Sequence, residues 1–127
     1  LRHRARIVGV VSTGATTYAD SMAAGHVVEA PVSTRLADGM AVRRADADAL
    51  AVLRQHLDRL VQVSDDEVAR AMRHLFTDTH NVAEGAGAAA LAAAMQERAL
   101  LKGQVVGTTL CGGNVDARVF AQVLSEP

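Results

Sequence analysis

The stretch Arg6-Ile7-Val8-Gly9-Val10-Val11, ended by Ser12-Thr13-Gly14, decides how the chain is read. A continuous apolar, β-branched run stopped by turn formers has the pattern of a buried strand. The residues after it change period. Residues 15–24 read as a helix closed by Gly25, since a glycine just past the last turn suits a left-handed cap. Residues 26–31 read as a brief extended piece. Residues 33–40 read as a loop with a turn at Asp38-Gly39.

Helical spacing returns after Asp46, with Leu50, Leu53, Leu57 and Leu60 at i, i+3, i+7 and i+10. Residues 60–63 then read as a second strand. Ser64-Asp65-Asp66-Glu67 is a capping box, in which a hydroxyl and a carboxylate satisfy two orphan N–H groups reciprocally. The helix it opens places Val68, Met72, Leu75 and Phe76 on one face. Glu84 leads into a helix with no polar face, running through Met95. Residues 104–110 read as a third strand, turned by Cys111-Gly112-Gly113-Asn114 into a closing helix over 115–124. Strands separated by helices imply crossover connections, hence an α/β fold with a mostly parallel sheet in three layers. No internal repeat or linker interrupts residues 1–127, which read as a single unit.

A helix that is apolar all round must be buried on several sides. Three short strands and about five helices offer too little cover for it, so the sequence calls for a partner copy or a missing half. The chain opens on Leu1 rather than Met, which fits a segment of something longer.

Composition narrows the functional classes. Of the 127 residues 50% are apolar, 21% charged and 2% aromatic, with a net charge of −1. Nucleic acid is not the expected partner, because counter-ion release needs clustered cations and single strands need stacking platforms. The most apolar stretch, 85–95, is about half the roughly 20 residues that a membrane helix requires. One cysteine excludes a disulfide within the chain, and a reducing cytoplasm is the ordinary setting for such a composition.

Several constellations bear on chemistry. Cys111-Gly112-Gly113-Asn114 lies at the carboxyl end of an expected strand, where open parallel sheets place ligands. Three readings stay open there: a tight strand–helix turn with Asn114 as cap, a nucleophilic thiolate, or a cofactor or substrate contact. Gly85-x-Gly87-x-x-Ala90 matches a dinucleotide fingerprint only superficially. It follows no strand, and position 107, where a ribose-binding acid belongs, is glycine. Close helix packing through small residues explains it better. Glu84 is either a carboxylate at a helix N-terminus or a functional group. The histidines His3, His26, His56, His74 and His80 show no metal-ligand spacing. Arg43-Arg44 reads as a solvated pair or a carboxylate binder.

Four motifs stand in a familiar order: Thr34-Arg-Leu-Ala-Asp-Gly-Met-Ala-Val42, Val61-Gln-Val-Ser-Asp-Asp-Glu67, Val82-Ala-Glu-Gly-Ala-Gly-Ala88 and Cys111-Gly-Gly-Asn-Val-Asp116. Together they make the chain resemble, over almost its whole length, the C-terminal part of the threonine/serine dehydratases. These are pyridoxal-phosphate enzymes of fold type II. The resemblance implies that Cys111 stands where the family has a Ser or Cys hydrogen-bonded to the pyridine nitrogen. It implies that Gly112, Gly113 and Asn114 shape that wall and that Glu84 is a carboxylate near the cofactor pocket. Asp38 and Gly39 match a loop on the substrate side. The implied reaction is ammonia-lyase chemistry on a small hydroxy amino acid, giving a 2-oxo acid and ammonia in a cytoplasmic homo-oligomer. Serine racemase and hydroxyaspartate ammonia-lyase are near neighbours within the family. A non-catalytic half-domain for assembly or ligand binding is the reading from a different class.

Two departures from the family pattern carry consequences. Metal-binding members have carboxylates where this chain has Val11 and Thr17, with Ala15 between them, so no metal site is expected. The family also needs a lysine to hold the cofactor and move protons. The one lysine is Lys102, ahead of residue 104, whereas the cofactor belongs beyond residue 110. At about 3.3 Å per residue the intervening segment spans about 25 Å. No catalytic residue is therefore assigned, and the chain is expected to be inactive without a lysine-bearing N-terminal part.

Overall fold

The computed structural model describes residues 4–125. Its centre is a parallel pair formed by β1 (Ile7–Ser12) and β2 (Leu57–Val63). The register runs from Ile7 opposite Leu57 to Ser12 opposite Val63, with an irregularity between Ile7 and Val8. Between these strands lie α1 (Thr17–Ala24), a 3-10 turn (Asp38–Met40) and α2 (Ala47–His56). Gly25 takes φ 79° and returns its N–H to the Ser21 carbonyl, the cap expected at that position. Asp46 caps α2 by accepting from the Ala49 N–H at 2.8 Å.

Helix α2 stops at His56, and β2 begins three residues before the strand expected at residue 60. Leu57 and Leu60 therefore belong to β2 rather than to an apolar helix stripe. The ladder to β1 outweighs the helical spacing, because each residue added to β2 gains backbone pairing that α2 could not offer there.

After β2 come α3 (Asp65–Thr79) and α4 (Gly85–Gln96), and α5 (Ala117–Ser125) follows later. The capping box forms as read. The Ser64 hydroxyl accepts from the Glu67 N–H, and the Glu67 carboxylate accepts from the Ser64 N–H at 2.8 Å. One face of α3, with Val68, Ala71 and Met72 fully buried, packs on Ala88, Ala89, Ala92 and Ala93 of α4. Those alanines let the two helices approach closely. Phe76 and Phe120 meet edge to face at 5.5 Å and tie α5 to α3.

Two expectations fail together. The run 104–110 forms no strand, and β1 is not buried on both faces. Val105 is fully exposed, and among the described residues the backbone of 105–111 hydrogen bonds to nothing. Ile7 is 56% exposed and Val8 to Val11 are only half-buried. A β-branched run becomes a strand only when a neighbour satisfies its N–H and C=O groups. No described strand lies between β1 and residues 104–110, so the sheet has two strands rather than three. The closing helix also starts later than residue 115. Asp116, not Asn114, caps it, accepting from the Arg118 and Val119 N–H groups.

Acidic groups fix two of the joints. Glu97 accepts from Arg59 of β2 at 2.5 and 3.1 Å, and that guanidinium holds its carboxyl below the usual value of 4.5. Burial pushes the Glu67 carboxyl up. The Ser64 N–H, the Gln96 amide, the Ser64 hydroxyl and the Arg70 charge outweigh that effect and bring it below 4.5. A carboxyl with a lowered folded pKa adds stability that is complete above its unfolded value and is lost as pH falls through the folded one. The thermal midpoint should therefore be flat above about pH 5 and drop below about pH 4. A series of melts with Glu97→Gln alongside should show a shallower acid drop in the variant.

Candidate functional site

The site is assembled at the N-terminus of α4. Glu84 is the residue before that helix, yet its carboxylate does not cap it. It reaches instead to the Asn114 N–H at 3.0 Å, while its own N–H donates to the Gly112 carbonyl at 3.1 Å. One residue thus binds the 112–114 loop through both backbone and side chain. The Glu84 carboxylate makes its hydrogen bond to the loop and none to the N–H groups of α4.

Glycines make the approach possible. A Cβ on Gly87 would run into the Gly112 carbonyl, and one on Gly112 would run into the Glu84 carboxylate. A Cβ on Gly113 would lie 2.8 Å from the Val82 carbonyl oxygen. The Gly85-x-Gly87 spacing is therefore a close-packing signal, as the sequence indicated, and what packs on the two glycines is loop backbone, at Leu36 and at Gly112.

The loop bearing Asp38 and Gly39 closes the other side. A Cβ on Gly39 would sit 2.9 Å from the Ala86 side chain and 3.8 Å from the Glu84 carboxylate. Asp38 is exposed and accepts from the Gly39 N–H at 2.9 Å. The loop is held from behind by Asp65, the first residue of α3. Its two oxygens accept from the Thr34 hydroxyl at 2.5 Å and the Arg35 N–H at 2.8 Å. The Thr34 oxygen in turn accepts from the Ala37 N–H at 3.1 Å. Sequence reasoning took Asp65 only as part of a cap. No local signal links it to Thr34, 31 positions away.

Gly39, Glu84, Gly112 and Asn114, which the resemblance groups, thus lie together. Cys111 leads into the same loop with an exposed thiol that hydrogen bonds to no described residue. Lys102 is exposed and lies ahead of the unpaired 105–111 run, at the end away from Cys111. Thr17 is fully buried and donates to the Val42 carbonyl. Arg44 pairs with Glu29 across an exposed bridge. His74 contacts Asp78, and His80 takes a left-handed φ of 57° to cap α3. His3 lies outside the described residues. Among the described residues no helix is long and apolar enough to cross a membrane.

The family described as pyridoxal-phosphate dependent enzyme matches residues 1–112. The chain belongs to that pyridoxal-phosphate-dependent family. Within the family it is threonine dehydratase-like. It is 36% identical to an L-threonine ammonia-lyase of Geobacter sulfurreducens, over 94% of this chain and 30% of that protein. It is also 36% identical to a phenylserine dehydratase of Ralstonia pickettii, over 98% of this chain and 38% of the relative. Among solved structures it superposes on a T.th. threonine deaminase with a TM-score of 0.80 and 34% identity, covering 87% of this chain and 37% of that one. Maize serine racemase gives the same TM-score at 30% identity, with 92% and 38% covered. The fold is that of fold-type II pyridoxal-phosphate enzymes. The chain spans about a third of the length of these relatives.

The residues fit one face of that cofactor. An exposed thiol, Cys111, stands at the head of a loop that Glu84 holds through both its backbone and its carboxylate.

Proposed function

We propose that this chain forms one wall of the active site of an ammonia-lyase acting on a small β-hydroxy amino acid, threonine or serine. The observation that supports it best is the meeting of Gly39, Glu84, Gly112 and Asn114 beside the exposed Cys111. Pyridoxal phosphate, when bound, withdraws electrons from the amino acid so that the α-proton and the β-hydroxyl can leave.

In this reading the Cys111 thiol donates weakly to the pyridine nitrogen. A neutral thiol does not hold that nitrogen protonated as a carboxylate would, and this moderates electron withdrawal and suits prompt loss of the β-hydroxyl. Gly112 and Gly113 let the loop close onto the Glu84 carboxylate and the Val82 carbonyl, which sets the position of this wall beside the ring. Glu84 holds the Asn114 N–H, so the loop does not follow the ligand as it moves. Asp38 and Gly39 border the substrate. Lys102 stands too far along the extended run to take part, so the amine comes from polypeptide outside these residues and the chain alone does not turn over substrate.

Cys111 is the single cysteine, which makes the test direct. The chain is combined with the part of the Geobacter relative that it does not match, and alkylation by iodoacetamide is timed with and without pyridoxal phosphate. The cofactor should slow labelling about tenfold, as expected for a thiol covered by a bound ring. Equal labelling rates in an assembled complex would remove Cys111 from the cofactor site and the reading with it.

A further inference from the structure

The sequence holds a single Asp-Gly pair, Asp38-Gly39, which opens the 3-10 turn. Both residues are exposed, so water reaches them. The Gly39 N–H donates to Oδ1 of Asp38 at 2.9 Å, which sets the amide nitrogen beside the carboxyl group of the preceding residue. Glycine has no Cβ to cover that nitrogen. A nucleophile held against its electrophile has little orientational freedom left to lose on reacting.

The other aspartates are arranged differently. Asp46 and Asp116 accept from N–H groups two or three positions further on. Asp65 accepts from Thr34 and Arg35, Asp58 from the Arg59 guanidinium and Asp20 from the Thr16 hydroxyl. Asp78 meets His74 and Thr77. The amides that follow Asp48 and Asp66 already donate, to Asp46 and to Ser64. Among the described residues, Asp38 alone rests its carboxylate on the N–H of the next residue.

We propose that Asp38-Gly39 is a self-modification site, at which the chain isomerises to a β-linked aspartyl residue without a catalyst. The Gly39 nitrogen attacks Cγ of Asp38. An N–Cγ bond forms, one Cγ–O bond breaks, and that oxygen leaves as water with the amide proton and the carboxyl proton. Water then opens the cyclic imide at the Asp38 main-chain carbonyl. The bond from that carbon to the Gly39 nitrogen breaks, the nitrogen recovers a proton, and the main chain now runs through Cβ and Cγ. The product has the same mass, a longer backbone, and the former carbonyl carbon as a free carboxylate.

Two contacts make the change consequential. The Asp38 carbonyl accepts from the Ala41 N–H at 2.9 Å, and this bond is lost. A methyl on Gly39 would already stand 2.9 Å from the Ala86 side chain, so a lengthened backbone pushes the loop off α4. In the proposed enzyme this loop borders the substrate, and its isomerisation is an irreversible change to that border. The chemistry rests on the loop geometry and not on the proposed function. A Cys111 thiol indifferent to pyridoxal phosphate would remove that function and leave this inference standing.

The test uses the chain itself, incubated for days at body temperature and near-neutral pH. Isoaspartyl carboxylates are labelled with a protein isoaspartyl methyltransferase and located by peptide mapping. Residue 38 should carry more label than all other aspartates together, and the same incubation in urea should not raise its rate. In the aged chain the Ala41 amide should gain a fast-exchanging population equal in size to the labelled fraction, while α3 keeps its protection. Asp38→Glu, whose carboxyl carbon lies one bond further out, should stay unlabelled at that position. Label that appears at residue 38 only in urea would overturn the proposal, because the fold then shields the pair. Label spread evenly over the aspartates would overturn it as well. A labelled chain whose Ala41 amide stays protected would overturn the stated effect on the loop.

Discussion

Met72→Ala should destabilise the chain by about 2–5 kcal/mol, the cost of deleting a fully buried thioether and leaving a cavity. Among the described residues Met72 is the largest side chain with no exposure at all. It sits one turn beyond Val68, on the face of α3 that meets the small residues of α4. Alanines on α4 cannot swing in to fill the space, so little of the cavity collapses. Domains are stable by only about 5–15 kcal/mol, so a loss of this size leaves a measurable unfolded fraction at room temperature. Met72→Leu keeps the volume and should cost under about 1.5 kcal/mol. Urea unfolding of the three proteins gives the comparison directly. Equal midpoints for parent and Met72→Ala would mean that the α3–α4 interface is not the core.

Asp65→Ala should cost about 1.5–3 kcal/mol, the range for a hydrogen bond to a charged group. Its larger effect is local. Asp65 is half-buried and holds both Thr34 and Arg35, so its loss frees one end of the loop that carries Asp38 and Gly39. The other end stays fixed, because Gly85 lies against the Leu36 carbonyl and Ala86 against Gly39. Exchange at the Arg35 and Ala37 amides should rise by about tenfold or more while α3, capped by Ser64 and Glu67, keeps its protection. Asp65→Asn retains one acceptor and should recover part of the loss. If all three proteins exchange alike at those amides, the loop is set by the Gly14 contacts to Ser33 and Thr34 instead.

Legibility in the sequence followed the range of the interaction. The capping box, the Gly25 cap and the small-residue packing at Gly85 and Gly87 depend on residues a few positions apart or on size alone, and they could be read directly. The grouping of Glu84 with Gly112 and Asn114 came through resemblance, and no spacing rule would have produced it. Asp65 shows the opposite case. A sufficient local explanation, the cap, concealed a contact 31 residues distant. Residues 104–110 failed for a third reason. Their composition states what they become beside a partner, and strand formation depends on hydrogen bonds that the described residues do not supply. The same shortage accounts for the half-exposed β1.

Where Gly87 meets Gly112, main chain rests on main chain with no side chain between them. A contact through side chains has play, since rotamers can shift to absorb a small displacement. This one has none. A shift of α4 along its axis is passed directly to the loop after Cys111, so that loop behaves as a rigid extension of the helix. The two positions are therefore mutually constrained: a methyl at 87 becomes tolerable only when the backbone at 112 has already moved away.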